Sequence, residues 1–137
     1  MQKIADILSA FDVAALQEIS TSAAGAQGIA QLAELLNESG NKWDYTISDR
    51  TSGEGSERYA YLWKTSKATL IGKPFLTQAQ SLDDKIDREP FMARFKCNKN
   101  NNTTQPDLLI ANYHAVKTKK KPEQEIILLS ALHDAYT

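Results

Sequence analysis

The chain has 137 residues, of which 42% are hydrophobic and 24% are charged, and these proportions are typical of one soluble globular domain. The net charge is −1, so the chain as a whole provides no electric field that would attract nucleic acid or an anionic membrane. Cys97 is the only cysteine, which excludes an internal disulfide and a cysteine-rich zinc site, and no apolar run approaches the roughly 20 residues that a membrane-spanning helix needs. The composition leaves the cellular compartment open.

The segment 1–40 predicts a helix, a strand and a second helix. The opening residues have amphipathic spacing and lack the continuous apolar block of a signal peptide. The apolar residues with this spacing are Ile4, Ile7, Leu8 and Phe11. The run VAALQEI at 13–19 predicts a short buried parallel strand with its polar residues at the carboxyl end. Helical spacing then returns over about 24–39 and ends before Gly40.

From Trp43 onward the hydrophobic pattern has a period of two, which is typical of strands. The segments that show it are WDYTIS, RYAYLWK, ATLIG, PFMARFK and LLIANYHA. The polar stretches at 49–56 and 97–107 predict loops. Pro122 suits the first turn of a final helix, whose predicted apolar stripe is Ile126, Leu129, Leu132 and Tyr136. This order predicts an α/β chain of the α+β kind, with a largely antiparallel or mixed sheet flanked by helices.

Glu18 is the first candidate for a functional residue, because it ends an otherwise apolar strand. A carboxylate in such a place loses hydration unless it meets a cation or a hydrogen-bond donor. Hard divalent ions prefer oxygen ligands, and Mg²⁺ often takes only one or two carboxylates while it keeps water and substrate phosphate. The alternative is a strand-end glutamate that faces solvent.

Three further residues could belong to the same site. His114 ends the strand LLIANYH, where an imidazole could exchange protons near neutral pH, although a strand-end histidine is more often structural. Glu57 precedes the strand that begins at Arg58 and could hold such an imidazole in one tautomer, or it could be a solvated loop charge. Arg88 has the planar fork that suits a phosphate, and its alternative is a salt bridge to a nearby carboxylate.

The order and the residues of four motifs resemble those of the deoxyribonuclease I (endonuclease/exonuclease/phosphatase) superfamily. The motifs are FDVAALQEIS, SERYAYLWK, DREPFMARFK and LLIANYHAV, and a terminal helix follows them. The resemblance covers nearly the whole chain. It implies half of a four-layered α/β sandwich, in which two packed sheets are flanked by helices, and the activity of a metal-dependent phosphodiester hydrolase, a DNA endonuclease above all.

The resemblance also implies a role for each candidate residue. The glutamate of the QE motif binds the catalytic divalent ion, so Glu18 should bind Mg²⁺, with Mn²⁺ or Ca²⁺ as possible substitutes. The glutamate of the ERY motif supports the catalytic histidine, so Glu57 should orient His114. That histidine acts in acid/base catalysis on the phosphodiester, and the arginine of the REP motif, here Arg88, approaches the phosphate backbone of the substrate.

The sequence departs from the family pattern in several places. No strand with the family's FN motif precedes the first helix, and no GDFN or SDH motif follows Tyr136. The resemblance therefore implies that residues 1–137 are a partial domain, whose uncovered sheet face would self-associate or bind a complementing C-terminal half. Gly55 and Ser20 stand where deoxyribonuclease I has a tyrosine and an arginine that contact the minor groove, so preference for double-stranded DNA is an open question.

Two alternatives to the DNA endonuclease remain at this point. The chain could be a catalytically inactive remnant or interaction module that has the same half-fold. It could also be a related phosphatase or a sphingomyelinase-like phosphodiesterase, which would share the metal chemistry and differ in its substrate loops. None of these functions predicts that the chain is inserted into a membrane.

Overall fold

In the computed structural model the chain is an α+β protein with two three-stranded antiparallel sheets. The structure describes residues 1–53, 55–77, 86–98, 107–115 and 122–136, and only the backbone at position 134. The elements are α1 (Gln2–Leu8), β1 (Val13–Ile19), α2 (Ala23–Asn37), β2 (Trp43–Ile47), β3 (Arg58–Lys64), β4 (Ala68–Leu76), β5 (Phe91–Cys97), β6 (Leu108–Asn112), α3 (Pro122–Leu128) and α4 (Ser130–Tyr136).

The first sheet has the strand order β1-β3-β2. Strand β3 is central, and every one of its residues after Arg58 is buried, as its run of aromatic and apolar side chains predicts. The bounds predicted for β1 are confirmed, but the prediction of a buried parallel strand is wrong. β1 runs antiparallel to β3, with Val13 opposite Trp63, and several of its residues are exposed. A short apolar run has the same pattern in either orientation, so the sequence could not distinguish them.

The second sheet has the order β4-β5-β6 and is also antiparallel. Strand β5 is central, and its first three residues are buried. β6 ends at Asn112, so His114 lies just beyond the strand rather than within it. Of the two predicted loops, 49–56 contains no helix or strand among its described residues, whereas residues 99–106 of the other lie outside the described part of the chain.

The two sheets pack against each other through an apolar cluster. Its buried members are Tyr59, Tyr61, Trp63, Ala68, Phe91, Ala93 and Phe95. A second cluster joins the first sheet to α1 and α2 through Leu36, Trp43 and Leu62 among others, and a third joins Met92 of the second sheet to Leu132 of α4. The inner sheet faces that the structure describes therefore cover each other. The specific layering of the deoxyribonuclease I family stays a prediction.

The helices at the two ends of the chain differ from the predicted amphipathic pattern. Of the four residues predicted to form one apolar face on the first helix, only Leu8 packs against the core, while Ile4, Ile7 and Phe11 are 47%, 66% and 56% exposed. The one buried residue of the short α1 is Ala5, which packs with residues of α2. Because alanine is small, only a narrow face of the helix is buried. No helix in the described ranges is long and apolar enough to cross a membrane.

The predicted final helix is two short helices that meet at Leu129. Ser130 Oγ donates to the carbonyl of Ile127 at 3.0 Å, and such a side-chain bond competes with the regular helical hydrogen bonds. The predicted stripe is only partly buried, since Leu132 is buried but Ile126 is 54% exposed.

Candidate functional site

Glu18 lies in an irregular part of β1, close to the start of β3. The register between the two strands shifts between Leu16 and Ile19, so Gln17 and Glu18 form a bulge. Glu18 has φ of 59°, and it is the one residue other than glycine with positive φ among those the structure describes. This backbone conformation costs a side-chain-bearing residue about 1–2 kcal/mol. The side chain is 74% exposed, so the carboxylate of this strained residue faces solvent.

His114 and Glu57 form the closest side-chain contact of the site. Glu57 directly precedes β3, and His114 follows the end of β6, so the pair joins the two sheets. Glu57 Oε1 lies 2.7 Å from Nδ1 of His114. Because a carboxylate can only accept hydrogen bonds, Nδ1 carries the hydrogen in this arrangement and Nε2 is the nitrogen left to act. The predicted orienting contact is present, although its catalytic role stays a prediction.

Glu18 faces the other nitrogen of the same imidazole. Its Oε1 lies 3.6 Å from Nε2 of His114, and its backbone N–H donates to Glu57 Oε1 at 3.3 Å. Ligand atoms of Glu18, Glu57 and His114 all lie within 4.8 Å of one another. Glu57 is 8% exposed and already accepts hydrogen bonds from the other two residues. The atoms that remain accessible to a metal ion are the Glu18 oxygens and Nε2 of His114.

These accessible donors fit a divalent cation. Two neighbouring ligands of an octahedral ion with bonds of about 2.1 Å lie roughly 3 Å apart, so a small side-chain movement would let Glu18 and His114 share an ion. An exposed carboxylate alone suits Mg²⁺ or Ca²⁺, whereas a carboxylate with an imidazole nitrogen suits Mn²⁺ or a later transition metal. The donor set therefore permits the predicted cofactor without identifying the metal.

Arg88 lies behind His114 rather than in front of it. Its Nε donates to the carbonyl of Gly55 at 2.7 Å, and its Nη1 lies 3.2 Å from the carbonyls of both His114 and Ala115. Nε is also 3.6 Å from Glu57 Oε2, and the side chain is only 13% exposed. Most of the guanidinium thus binds protein carbonyls. Nη2 has no hydrogen-bond partner within the described residues, so it is the nitrogen that remains for the predicted phosphate contact.

The loop before Glu57 is shaped to accept this arginine. A Cβ atom placed on Gly55 would lie 2.9 Å from Nη2 of Arg88, which is too close for a normal contact. Gly53 has φ of 85°, and a Cβ there would meet the side chain and backbone of Asp87. The absence of a side chain at both positions lets the backbone at Gly53 and Gly55 approach the segment that carries Arg88. The sequence placed both glycines in a predicted loop but did not show the partner that requires them.

Asn112 is a residue of the site that the sequence analysis missed. Its side chain is buried, with a residue exposure of 2%, and it reaches from β6 to the first sheet. Nδ2 donates to the carbonyls of Leu16 and Ala60 at 3.0 and 3.4 Å, and Oδ1 accepts from Nε2 of Gln17 at 2.8 Å. The one sequence feature that could have identified it is an asparagine that interrupts the apolar run LLIANY.

Tyr59 supports the backbone of His114 from inside the core. Its hydroxyl accepts the N–H of His114 at 3.3 Å, and the ring is fully buried. Burial raises the pKa of Tyr59 well above its ordinary value, so the hydroxyl stays neutral. Burial and a hydrogen bond to Glu125 similarly raise the pKa of Tyr113, the residue before the histidine. Neither phenol is available as a proton donor or acceptor for chemistry near neutral pH.

The chain gave no match in a scan against protein-family models and none in a search of curated proteins. The resemblance of the four motifs to a known superfamily therefore stays a prediction. The imidazole of His114 has the buried carboxylate of Glu57 at Nδ1 and the exposed carboxylate of Glu18 facing Nε2.

Proposed function

We propose that this chain is a metal-dependent phosphodiester hydrolase of the deoxyribonuclease I-like kind, with DNA as its substrate. The observation that carries the proposal is the line Glu57–His114–Glu18, in which one carboxylate contacts Nδ1 and the other faces Nε2. Three motifs far apart in the sequence supply these residues. Their convergence is what the motif resemblance predicts for such an enzyme.

In this proposal Glu18 holds the divalent cation. Its exposed carboxylate can bind an ion without losing a hydrogen bond, since the contact of this side chain among the described residues is the 3.6 Å approach to His114. A bound Mg²⁺ would supply positive charge to the phosphoryl oxygens of the substrate. The strained backbone at Glu18 is consistent with selection for the position of this side chain rather than for stability.

His114 moves the proton in this proposal, so its Nε2 is not a ligand of the cation that Glu18 holds. Glu57 accepts the hydrogen of Nδ1 and so leaves the lone pair of Nε2 pointing toward Glu18 and solvent. From there Nε2 can take a proton from an attacking water or return one to the leaving oxygen. Glu57 also stabilises the charged imidazolium that forms during this exchange.

Arg88 has two functions in the proposal. It holds the carbonyls of His114 and Ala115 and so fixes the segment that carries the imidazole. Its Nη2 is the atom that could reach a substrate phosphate, and a guanidinium is well suited to that task. Since the other two nitrogens bind protein carbonyls, the phosphate contact would be made by one nitrogen rather than by the full fork.

Cation binding provides the first test. We expect isothermal titration with Mn²⁺ to detect a site in the wild-type chain that is lost in Glu18→Gln. Glu34→Gln is the matched control, because Glu34 is an exposed glutamate on α2 that lies outside the site. Absence of binding in the wild type, or equal binding in Glu18→Gln, would contradict the assignment of Glu18.

Cleavage provides the second test. We expect the chain with Mg²⁺ to nick supercoiled plasmid DNA, and we expect His114→Ala to reduce the rate by about 10²–10⁴-fold. Hydrolysis of a small phosphodiester without nicking of DNA would favour the phosphatase-like or sphingomyelinase-like alternative. Cation binding with no hydrolysis of any phosphoester would favour a non-catalytic interaction module that retains the ion site.

A further inference from the structure

The candidate site is divided between the two sheets. Glu18 and Glu57 belong to the first sheet, through β1 and the loop before β3, whereas His114 follows β6 of the second sheet. The distances within the site therefore depend on how one sheet is placed on the other. The apolar cluster between the sheets drives their association, but apolar contacts have no direction and tolerate small displacements.

Asn112 provides the directional contact that this arrangement needs. Its backbone pairs with Phe91 in the second sheet, while its side chain makes three hydrogen bonds to the first sheet. With 2% exposure it is buried, and a buried amide of this kind holds its partners in one geometry because any displacement leaves a polar group unsatisfied.

The partners of Asn112 lie at the start of the bulge of β1. Leu16 and Ala60 are opposite each other in the β1–β3 ladder, and they form the last pair before the register shifts. Nδ2 of Asn112 donates to the carbonyls of both. Oδ1 accepts from the side chain of Gln17, the residue that directly precedes Glu18. The amide thus fixes the start of the bulge that gives Glu18 its strained conformation.

We infer that Asn112, with Gln17, is a positioning residue that sets the distance between the carboxylate of Glu18 and the imidazole of His114. Asn112 lies two residues before His114 in the chain, and its side chain bonds to Leu16 and Gln17, the two residues before Glu18. One side chain therefore links the segment that carries Glu18 to the segment that carries His114. The inference rests on the proposed function for its purpose, but the geometric claim can be measured without a metal ion.

Two variants separate the contacts of this amide. Asn112→Asp has nearly the same shape and can still accept from Gln17, but its ionised form cannot donate to the carbonyls of Leu16 and Ala60 and its protonated form can donate to only one of them. Gln17→Ala removes the third contact at an exposed position, so this variant should fold even if the other is unstable. Asn98→Ala is the matched control, because Asn98 Nδ2 also donates to a carbonyl, that of Thr65 at 3.1 Å. Asn98 follows the last residue of β5, whereas Asn112 lies opposite the first.

The first readout is nuclear magnetic resonance without metal. We expect Asn112→Asp and, to a smaller extent, Gln17→Ala to shift the amide resonances of Glu18 and His114 and to weaken nuclear Overhauser contacts between these two residues. Asn98→Ala should leave both unchanged. Unaltered contacts between Glu18 and His114 in folded Asn112→Asp and Gln17→Ala would overturn the inference.

The second readout is the affinity for Mn²⁺, measured by titration at a temperature where all variants are folded. We expect a loss of about tenfold in Asn112→Asp, in the range found for residues that support metal ligands, and no loss in Asn98→Ala. An equal loss in Asn98→Ala would overturn the inference, since it would reflect general destabilisation. Absence of Mn²⁺ binding in the wild type would instead contradict the proposed function, and the metal-free measurement would then decide the inference alone.

Discussion

Glu57 Oε1 contacts both Nδ1 of His114, at 2.7 Å, and the backbone N–H of Glu18, at 3.3 Å. One buried carboxylate oxygen therefore links the two residues that we propose to act on the substrate. Glu57 Oε2 also lies 3.6 Å from Nε of Arg88, so the carboxylate is surrounded by hydrogen-bond donors. Its removal should therefore affect Glu18, His114 and Arg88 together.

Glu57→Gln should disturb the imidazole more than it disturbs the fold. The amide of glutamine can donate as well as accept, so Nδ1 of His114 would no longer be restricted to carrying the hydrogen. We expect ring nitrogen chemical shifts to show one tautomer in the wild type and a mixture in the variant. Unfolding in urea should show a loss of about 1–3 kcal/mol, because Arg88 also loses its charged partner. An unchanged single tautomer in Glu57→Gln would contradict the orienting role.

The conformation of Glu18 leads to a prediction that separates stability from binding. Glu18→Gly should relieve the strain of positive φ, whereas Glu18→Ala removes the carboxylate and keeps the strain. After allowance for the greater freedom of glycine in the unfolded chain, we expect Glu18→Gly to be more stable than Glu18→Ala by about 0.5–1 kcal/mol. Both variants should lose Mn²⁺ binding. Urea denaturation that finds Glu18→Gly the less stable of the two would argue against a strained backbone at this position.

Arg88→Lys tests whether the arginine is held for its protein contacts. A single ammonium group cannot reach the carbonyl of Gly55 together with those of His114 and Ala115. We expect unfolding in urea to show a loss of about 1–3 kcal/mol. Arg94→Lys is the control, because the Arg94 side chain is 42% exposed and its one side-chain contact within the described residues is a 4.0 Å ion pair with Asp107, so its loss should be under about 0.5 kcal/mol.

A different result would return Arg88 to the role that the motif alone predicts. If Arg88→Lys were as stable as the wild type but bound an oligonucleotide more weakly, the guanidinium would act on phosphate and its contacts with the backbone would be incidental. The change in oligonucleotide affinity, measured at fixed ionic strength, therefore completes the experiment.

The sequence predicted the elements of the fold better than their arrangement. The bounds of β1 are as predicted because VAALQEI is flanked by Asp12 and Ser20, which end the apolar run. The antiparallel orientation of β1 could not be predicted, because it depends on pairing with β3 about 45 residues further along the chain. The break of the last helix at Leu129, where Ser130 Oγ donates to the carbonyl of Ile127, does not alter the hydrophobic period and so could not be predicted from it.

Within the site, the motifs predicted residues whose chemistry is visible in the side chain itself. Glu18, Glu57 and His114 lie together in the structure, as their motifs predict. Asn112 and Tyr59 were missed because their contribution consists mainly of bonds to distant backbone groups, and the asparagine within the apolar run LLIANY is the one sign of it in the sequence. The contacts of Arg88 were missed for the same reason, since carbonyl acceptors exist at every residue.

Alkaline pH should unfold the chain through its buried tyrosines. Burial raises the pKa of Tyr59 and Tyr61 above the ordinary value of about 10, and in the unfolded chain both would ionise near that value. As pH rises above about 10, the unfolded state therefore binds fewer protons than the folded state, and stability falls by up to roughly 1.4 kcal/mol per pH unit for each tyrosine. Below pH 10 the contribution of these two groups should be constant.

Urea denaturation at a series of pH values from 8 to 11 measures this slope. Tyr59→Phe should reduce the loss of stability per pH unit above pH 10 by roughly half of the part that the two tyrosines contribute, because phenylalanine does not ionise. The same variant removes the hydroxyl that accepts the N–H of His114, so it should also alter the His114 amide resonance at neutral pH. A slope above pH 10 that is identical in Tyr59→Phe and the wild type would show that Tyr59 ionises equally in both states, contrary to its burial.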